Sequence, residues 1–205
     1  MPDAAPGQIA HVIDDDDDAR ASLAFLLSTA DLPAVTYPSA KAFLAVAPGA
    51  SGVVVTDVRM PEMDGLELVR RLAELGVRLP VIVMTGHADV PLAVAAMKAG
   101  VVDFIEKPYD GEAMLAAIRA ALARHGEMEA RDGERADLAK RIEALSPRER
   151  QVLDGLVAGK ANKVIAHDLD ISPRTVEIYR AHVMTKMQAQ SLSELVRMAL
   201  VAGAA

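Results

Sequence analysis

The sequence predicts an α/β protein, a doubly wound five-stranded parallel sheet, followed by a small all-α domain built on a helix-turn-helix. Three observations carry that prediction. Short apolar, β-branched runs alternate with helical stretches through residue 124, as in strands buried on both faces by crossover helices. Several runs end in Asp, Thr or Lys, so polar groups would gather at the carboxyl edge of the sheet, where open parallel sheets bind ligands. From residue 146 onward the apolar spacing is helical, with Ser-Pro helix starts at Ser146 and Ser172.

Runs at 9–13, 34–37, 52–57, 81–85 and 101–105 are the predicted strands. A helix over 18–30 sets Ala21, Leu23, Leu26 and Leu27 at helical spacing, and Phe43 with Leu44 marks the next. Residues 65–75 place Leu66, Leu68, Val69, Leu72 and Leu75 at the same period, and 90–99 place Val90, Ala93, Val94 and Met97. A fifth helix starts near Asp110 and carries Met114, Leu115, Ile118 and Leu122. Gly76, Gly100 and Gly111 punctuate the pattern, and the aliphatic stripes read as core.

Residues 124–145 are strongly charged and short of apolar side chains until Leu138, Ile142 and Leu145. They predict a solvated helix or helix-like linker, with Gly126 and Gly133 as the places where it would break. The domain boundaries drawn from this are 1–124, a linker at 125–145, and 146–205.

In the last domain Ser146, Pro147 and Glu149 compose a capping box, and the helix runs through Val152, Leu153, Leu156 and Val157 to a stop at Gly159. Asn162 opens a short helix with Val164, Ile165 and Leu169, and a tight turn at Asp170–Ile171 precedes Ser172–Pro173. The helix that follows turns Val176, Val183 and Met187 inward, and a last helix covers 192–201. A short helix, a tight turn and a longer helix form the pattern whose second helix enters the major groove of DNA. Lys160, Lys163, Arg174, Arg180 and Lys186 collect around that turn and helix, which a merely structural bundle would not explain. Arg174, Glu177, Ile178 and Ala181 fall on or near one face and are candidates for base edges, and Asn162 and Thr175 join the set.

Composition sets the outer limits. Hydrophobic residues make up 52% and aromatics 3%, so the cores must be aliphatic. Absence of cysteine removes disulfides, thiol catalysis and cysteine-ligated zinc. The N-terminus lacks a signal-peptide layout, and no apolar run reaches the roughly 20 residues of a membrane span, so a cytoplasmic protein with no membrane association is expected. The net charge of −7 is uneven: −7 over 1–124, −2 over 125–145 and +2 over 146–205, an asymmetry suited to a nucleic-acid-binding end.

The strand ends carry the chemistry. V-I-D-D-D-D-D ends in Asp14 and Asp15, V-V-V-T-D-V in Asp57, V-I-V-M-T-G in Thr85 and F-I-E-K-P in Lys107. On one rim, the clustered carboxylates suit a hard cation such as Mg²⁺. A carboxylate held against that cation can accept a phosphoryl group, whose oxygens the hydroxyl and ammonium would stabilise. Asp16, Asp17 and Asp18 read as solvated carboxylates in a helix's first turn, favoured by its dipole. His11 and His87 read as structural or exposed.

The motifs V-I-D-D, V-T-D-V-R-M-P-E-M-D-G, M-T-G-H-A-D-V, A-M-K-A-G and D-F-I-E-K-P resemble the receiver domain of two-component response regulators. The stretch from L-S-P-R-E-R to I-S-P-R-T-V-E resembles the LuxR-type helix-turn-helix. Together they resemble the NarL/FixJ family over nearly the whole chain. That resemblance implies a flavodoxin/CheY-like sheet of order 2-1-3-4-5 and Asp57 as phospho-acceptor. It implies Mg²⁺ on Asp14, Asp15, Asp57 and the Arg59 backbone carbonyl. It implies Thr85 and Lys107 on the phosphoryl oxygens, a buried Phe104 that reorients on activation, and a cis Lys107–Pro108 bond. The implied partners are a FixL-like sensor histidine kinase, double-stranded promoter DNA, RNA polymerase and a second copy of the chain once phosphorylated. Nitrogen-fixation genes are the implied targets, and no turnover of a substrate is implied. The departure from the family is the acidic run extending to Asp18.

A haloacid-dehalogenase-like phosphatase is the rival reading, with Asp14 as nucleophile and Asp16 as the second acid. It lacks a later pair of strand-end acids, since V-V-D-F offers only Asp103, and leaves V-T-D-V and the helical end unexplained. An RNA-binding output fits less well, because a groove-inserted helix suits B-form DNA.

Overall fold

In the computed structural model, which describes residues 8–86 and 90–203 (Val90 by its backbone alone), β1 (Ala10–Ile13), β2 (Ala34–Tyr37), β3 (Val53–Asp57), β4 (Val81–Thr85) and β5 (Asp103–Glu106) form one sheet. The order is β2-β1-β3-β4-β5 and every pair is parallel. The three inner strands are buried along their full length and need no polar alternation. Successive residues point to opposite faces, so Ile13, Val54 and Val83 join one core, and Val12, Val55 and Ile82 the other. The first core is closed by α2 (Ala40–Leu44), α3 (Gly65–Glu74) and α4 (Val90–Ala99) through Phe43, Leu68, Leu72 and Ala96. The second is closed by α1 (Asp17–Thr29) and the start of α5 (Gly111–Glu143) through Leu23, Leu27, Met114 and Ile118. The strand order reverses direction at β1 and β3, which puts the ends of those two strands side by side at the ligand-binding edge.

Three expectations change. The α4 stripe is not core: Val94 is 46% and Met97 51% exposed, while Ala96 is buried. Apart from Lys98 the helix is apolar on every side, so its period does not select a face. The fifth strand starts at Asp103 rather than at 101, because the paired register begins at Ile82↔Asp103. The charged segment does not break at Gly126 or Gly133, and α5 is helical from Gly111 to Glu143. Each glycine costs a helix about 1 kcal/mol, which the surrounding helix formers tolerate.

The chain divides into two compact units, Met1–Met128 and Glu129–Ala205. The second has its own core, in which Leu138, Ile142 and Leu145 pack with Val152, Leu153, Ile165, Val176, Val183 and Met187. Its helices are α6 (Pro147–Val157), α7 (Asn162–Leu169), α8 (Pro173–Met187) and α9 (Leu192–Val201). Asp170 turns the chain between α7 and α8 in the left-handed region, at φ 53°. Ser146 and Glu149 form the predicted capping box, and Ser172 caps α8. No helix among the described residues is long and apolar enough to cross a membrane.

Candidate functional site

Each acid of the rim is placed by a strand end or the turn after it. Asp57 is the last residue of β3 and Thr85 the last of β4, and both are buried. Asp14 follows β1, also buried, and Lys107 follows β5. The Lys107 ammonium donates to Asp14 Oδ2 and to Asp57 Oδ1, at 2.7 Å each. Its backbone N–H donates to the Thr85 carbonyl at 2.7 Å, and the Lys107–Pro108 bond is cis. Burial works against this ammonium, but the hydrogen bonds and charges of Asp14 and Asp57 outweigh it and hold its pKa above the ordinary 10.5. The remaining carboxylate oxygens are held by backbone: Asp14 Oδ1 accepts from Asp16 N at 3.0 Å, and Asp57 Oδ2 from Arg59 N at 2.6 Å.

The turn after β3 is shaped by close packing. A Cβ on Gly65, at the start of α3, would lie 2.3 Å from the Asp57 carbonyl oxygen, so only glycine lets the helix approach the acid's backbone.

The structure brings Asp14, Asp57 and Lys107 into direct contact, with Thr85 at the adjoining strand end. Asp15 is exposed, and among the described residues no three acidic or histidine side chains are grouped as a ready metal cage. Asp16 is the N-cap of α1, accepting from Ala19 N at 2.9 Å, while Asp17 and Asp18 occupy the first turn. Phe104 is half-buried against the first core, not fully buried, because it lies on an edge strand. His11 is structural: it is buried, with Nδ1 3.2 Å from the Tyr37 hydroxyl and Nε2 3.0 Å from the Ser51 carbonyl. His87 and the Val90 side chain lie outside the described residues.

Two residues at the rim have no place in the sequence reading. Arg20 donates to the Asp14 carbonyl at 2.5 Å, and Tyr109 is close enough for its hydroxyl to feel Lys107 and Asp14, although burial is the main influence raising its pKa. Arg20 stands three residues after Asp17 and was findable as a helical pair; Tyr109 offers only its place after Lys-Pro.

In the second unit Val176, Val183 and Met187 turn α8 toward the core, and Arg174, Glu177, Ile178 and Ala181 are exposed. Ile178 is 50% exposed, an apolar side chain left in water on a polar face. Lys163 is exposed, and Arg180 and Asn162 are partly so. Thr175 is engaged in the cap, its hydroxyl 2.8 Å from that of Ser172. Lys160 pairs with Asp168 at 2.7 Å. Lys186 is also committed: it donates to Glu149 at 2.7 Å and to the Ala144 carbonyl at 3.4 Å. Glu149, 4% exposed, is the missed residue here; its capping role was legible but its lysine partner, 37 residues on, was not.

The phosphatase reading fails on this geometry. The Asp16 side chain is spent on capping α1, and Asp103 is exposed and accepts from the adjacent Phe104 N–H, so Asp14 has no acid partner of the required kind.

A parallel α/β sheet with this acid-and-lysine rim, followed by a helix-turn-helix unit, defines a response regulator with a DNA-binding output. Residues 10–119 match the response regulator receiver domain, and residues 143–199 match the bacterial regulatory proteins of the luxR family. The transcriptional regulatory protein FixJ of Azorhizobium caulinodans is 58% identical over 206 residues, spanning 100% of this chain and 96% of that protein. Full-length FixJ from B. japonicum is 50% identical with a TM-score of 0.61, covering 98% of this chain and 100% of the other. The response regulator StyR is 35% identical with a TM-score of 0.86, covering 96% and 99%. The chain belongs to the NarL/FixJ family of two-component transcription regulators, and within it is FixJ-like.

Proposed function

We propose that Asp57 accepts a phosphoryl group from a FixL-like sensor histidine kinase, and that this switches promoter binding by α8. The observation that carries the reading is the Lys107 ammonium, 2.7 Å from both Asp14 Oδ2 and Asp57 Oδ1 across two neighbouring strand ends. In the transfer an Asp57 carboxylate oxygen attacks phosphorus. The bond from phosphorus to the donor histidine nitrogen breaks, and the electron pair leaves on the imidazole. Lys107 and the Thr85 hydroxyl then serve the phosphoryl oxygens, while Phe104 reorients as the switch.

The donor set fits Mg²⁺. Asp14, Asp15, Asp57 and the Arg59 carbonyl offer oxygen only, and magnesium needs one or two carboxylates because it keeps several waters. When bound, Mg²⁺ neutralises charge developing on the phosphoryl oxygens.

Phosphorylation relieves inhibition of DNA binding and favours homodimers through Ala93 to Leu115, where Val94, Met97 and Val102 are exposed. Functionally, 1–124 is the receiver, 125–145 a charged helical linker and 146–205 the DNA-binding domain. The regulator works in the cytoplasm and passes its signal to RNA polymerase, with nitrogen-fixation genes as targets. Lys160, Asn162, Lys163, Arg180 and Lys186 serve the DNA backbone side, and Arg174, Thr175, Glu177, Ile178 and Ala181 the groove side.

Labelling by a small phosphodonor with Mg²⁺ tests the acceptor. Asp57→Asn should fold and take no label, and wild-type label should be cleaved by hydroxylamine, as an acyl phosphate is. Full, hydroxylamine-sensitive label on folded Asp57→Asn would refute the assignment.

A further inference from the structure

We propose that Arg20 is a positioning residue for the acid rim, held by Asp17, and that this gives part of the unusual aspartate run its role. The inference rests on the phospho-acceptor reading above. The five aspartates of residues 14–18 do not share one environment. Asp14 is buried, and Lys107 and the Asp16 N–H take its carboxylate. Asp16 caps α1. Asp17, on the first turn of α1, pairs with Arg20 one turn further along the same face. The Arg20 side chain is only 13% exposed, although it carries a full charge.

What Arg20 does with that charge is specific. One terminal nitrogen is held by Asp17, and the other donates to the Asp14 carbonyl at 2.5 Å. That carbonyl belongs to the peptide joining Asp14 to Asp15. Because the peptide is planar, fixing its oxygen also fixes the plane in which the Asp15 N and Cα lie. The rigid guanidinium fork thus ties the first turn of α1 to the loop that presents two of the three acids of the rim. It also places a positive charge among carboxylates that would otherwise repel. Its two terminal nitrogens are turned to Asp17 and to the Asp14 carbonyl, which casts Arg20 as a support for the rim. It orients Asp14 and Asp15 for the cation, as outer-shell partners orient metal ligands elsewhere. Asp18, exposed in the same turn with no contact of this kind to the rim, is the internal control.

The test uses the full chain and two readouts against Mg²⁺ alone: the rise in melting temperature, and the rate of labelling by acetyl phosphate. Arg20→Ala should raise the Mg²⁺ concentration for half effect about 10-fold in both readouts, with the labelling rate at saturating Mg²⁺ near wild type. Arg20→Lys should recover part of the shift, Asp17→Asn should show an intermediate one, and Asp18→Asn none. An unchanged half-effect concentration in Arg20→Ala overturns the proposal. So does a lowered maximal rate without a shift, or an equal shift in Asp18→Asn. Should Arg20→Ala not fold, Asp17→Asn and Arg20→Lys decide, and wild-type half-effect concentrations in both overturn it. Asp57→Asn, run alongside, separates the two readings: label retained there refutes the acceptor, while the melting-temperature arm still decides Arg20.

Discussion

Glu149→Gln isolates a charge buried under α8. The carboxylate is 4% exposed, and its Oε2 accepts from Lys186 Nζ and from the Ser146 N–H, each at 2.7 Å. The Lys186 hydrogen bond, with that of Ser146, holds the Glu149 carboxyl at about 2 against an ordinary 4.5. A hydrogen bond to a charged group is worth roughly 1.5–3 kcal/mol. Lys186 keeps 42% of its side chain in solvent, so screening lowers the expected cost of Glu149→Gln to about 1–2 kcal/mol. In a domain of this size that is a fall of roughly 4–16 °C in melting temperature. The pH dependence has a definite sign. A folded pKa below the unfolded one means the stabilisation is complete above pH 4.5 and is lost as pH falls toward about 2. Thermal unfolding of both proteins from pH 7 to pH 2 gives the difference curve, and amide exchange on α6 and α8 locates it. A difference that is absent at pH 7, or that does not shrink between pH 4.5 and 2, refutes the assignment of the charge.

Other perturbations have equally definite outcomes. Burial first, opposed by the Ser51 carbonyl, holds the His11 pKa below 6.5, so the unfolded chain takes up a proton that the folded one refuses. Stability should therefore decline as pH falls through 6.5, and His11→Gln should flatten that decline in urea titrations at pH 7.5 and 5.5, values set on either side of about 6.5; parallel slopes would exclude His11 as the source. Lys163→Ala or Arg180→Ala should weaken binding to all DNA sequences alike and lower the log–log salt slope by about one. The pair Arg174→Ala and Glu177→Ala should instead cost on the order of 1–3 kcal/mol at particular base pairs, and an unchanged site preference in selection from random DNA would show that α8 is not the reader.

Why some of this was legible and some not follows from where each interaction lies along the chain. Buried strands announce themselves locally, so the ends that carry Asp14, Asp57 and Thr85 fall where the apolar runs stop. Helix caps are local too, and Ser146 with Glu149 reads directly. The α4 face was not legible because a helix apolar but for Lys98 has no clear period to follow. The Lys107 contact with Asp14 joins residues 93 apart, and residue type alone put the lysine on the rim without saying that it would bridge two carboxylates. Lys186 shows the converse. Its charge and position place it in the DNA-facing set, and only the folded arrangement of α6 and α8 reveals that its ammonium also holds Glu149.

The boundary of the output unit makes the same point in space. Composition sets a charged linker at 125–145, yet Leu138, Ile142 and Leu145 are buried in the core that α6 and α8 share. Polar contacts run along the same seam: Arg141 donates to the Met187 carbonyl at 3.1 Å, and Lys186 donates back to the Ala144 carbonyl. Both carbonyls lie at helix ends, where backbone acceptors lack partners of their own, so each cation satisfies a group that would otherwise be left to solvent. The last turns of α5 and the last turn of α8 therefore hold one another through two reciprocal cation-to-carbonyl bonds. Arg141 is also 3.6 Å from Asp137, one turn earlier in α5, which keeps its guanidinium near the seam. The orientation of α8 thus depends on residues that precede the helix-turn-helix motif, because the end of the charged helix packs into the core that α6 and α8 share.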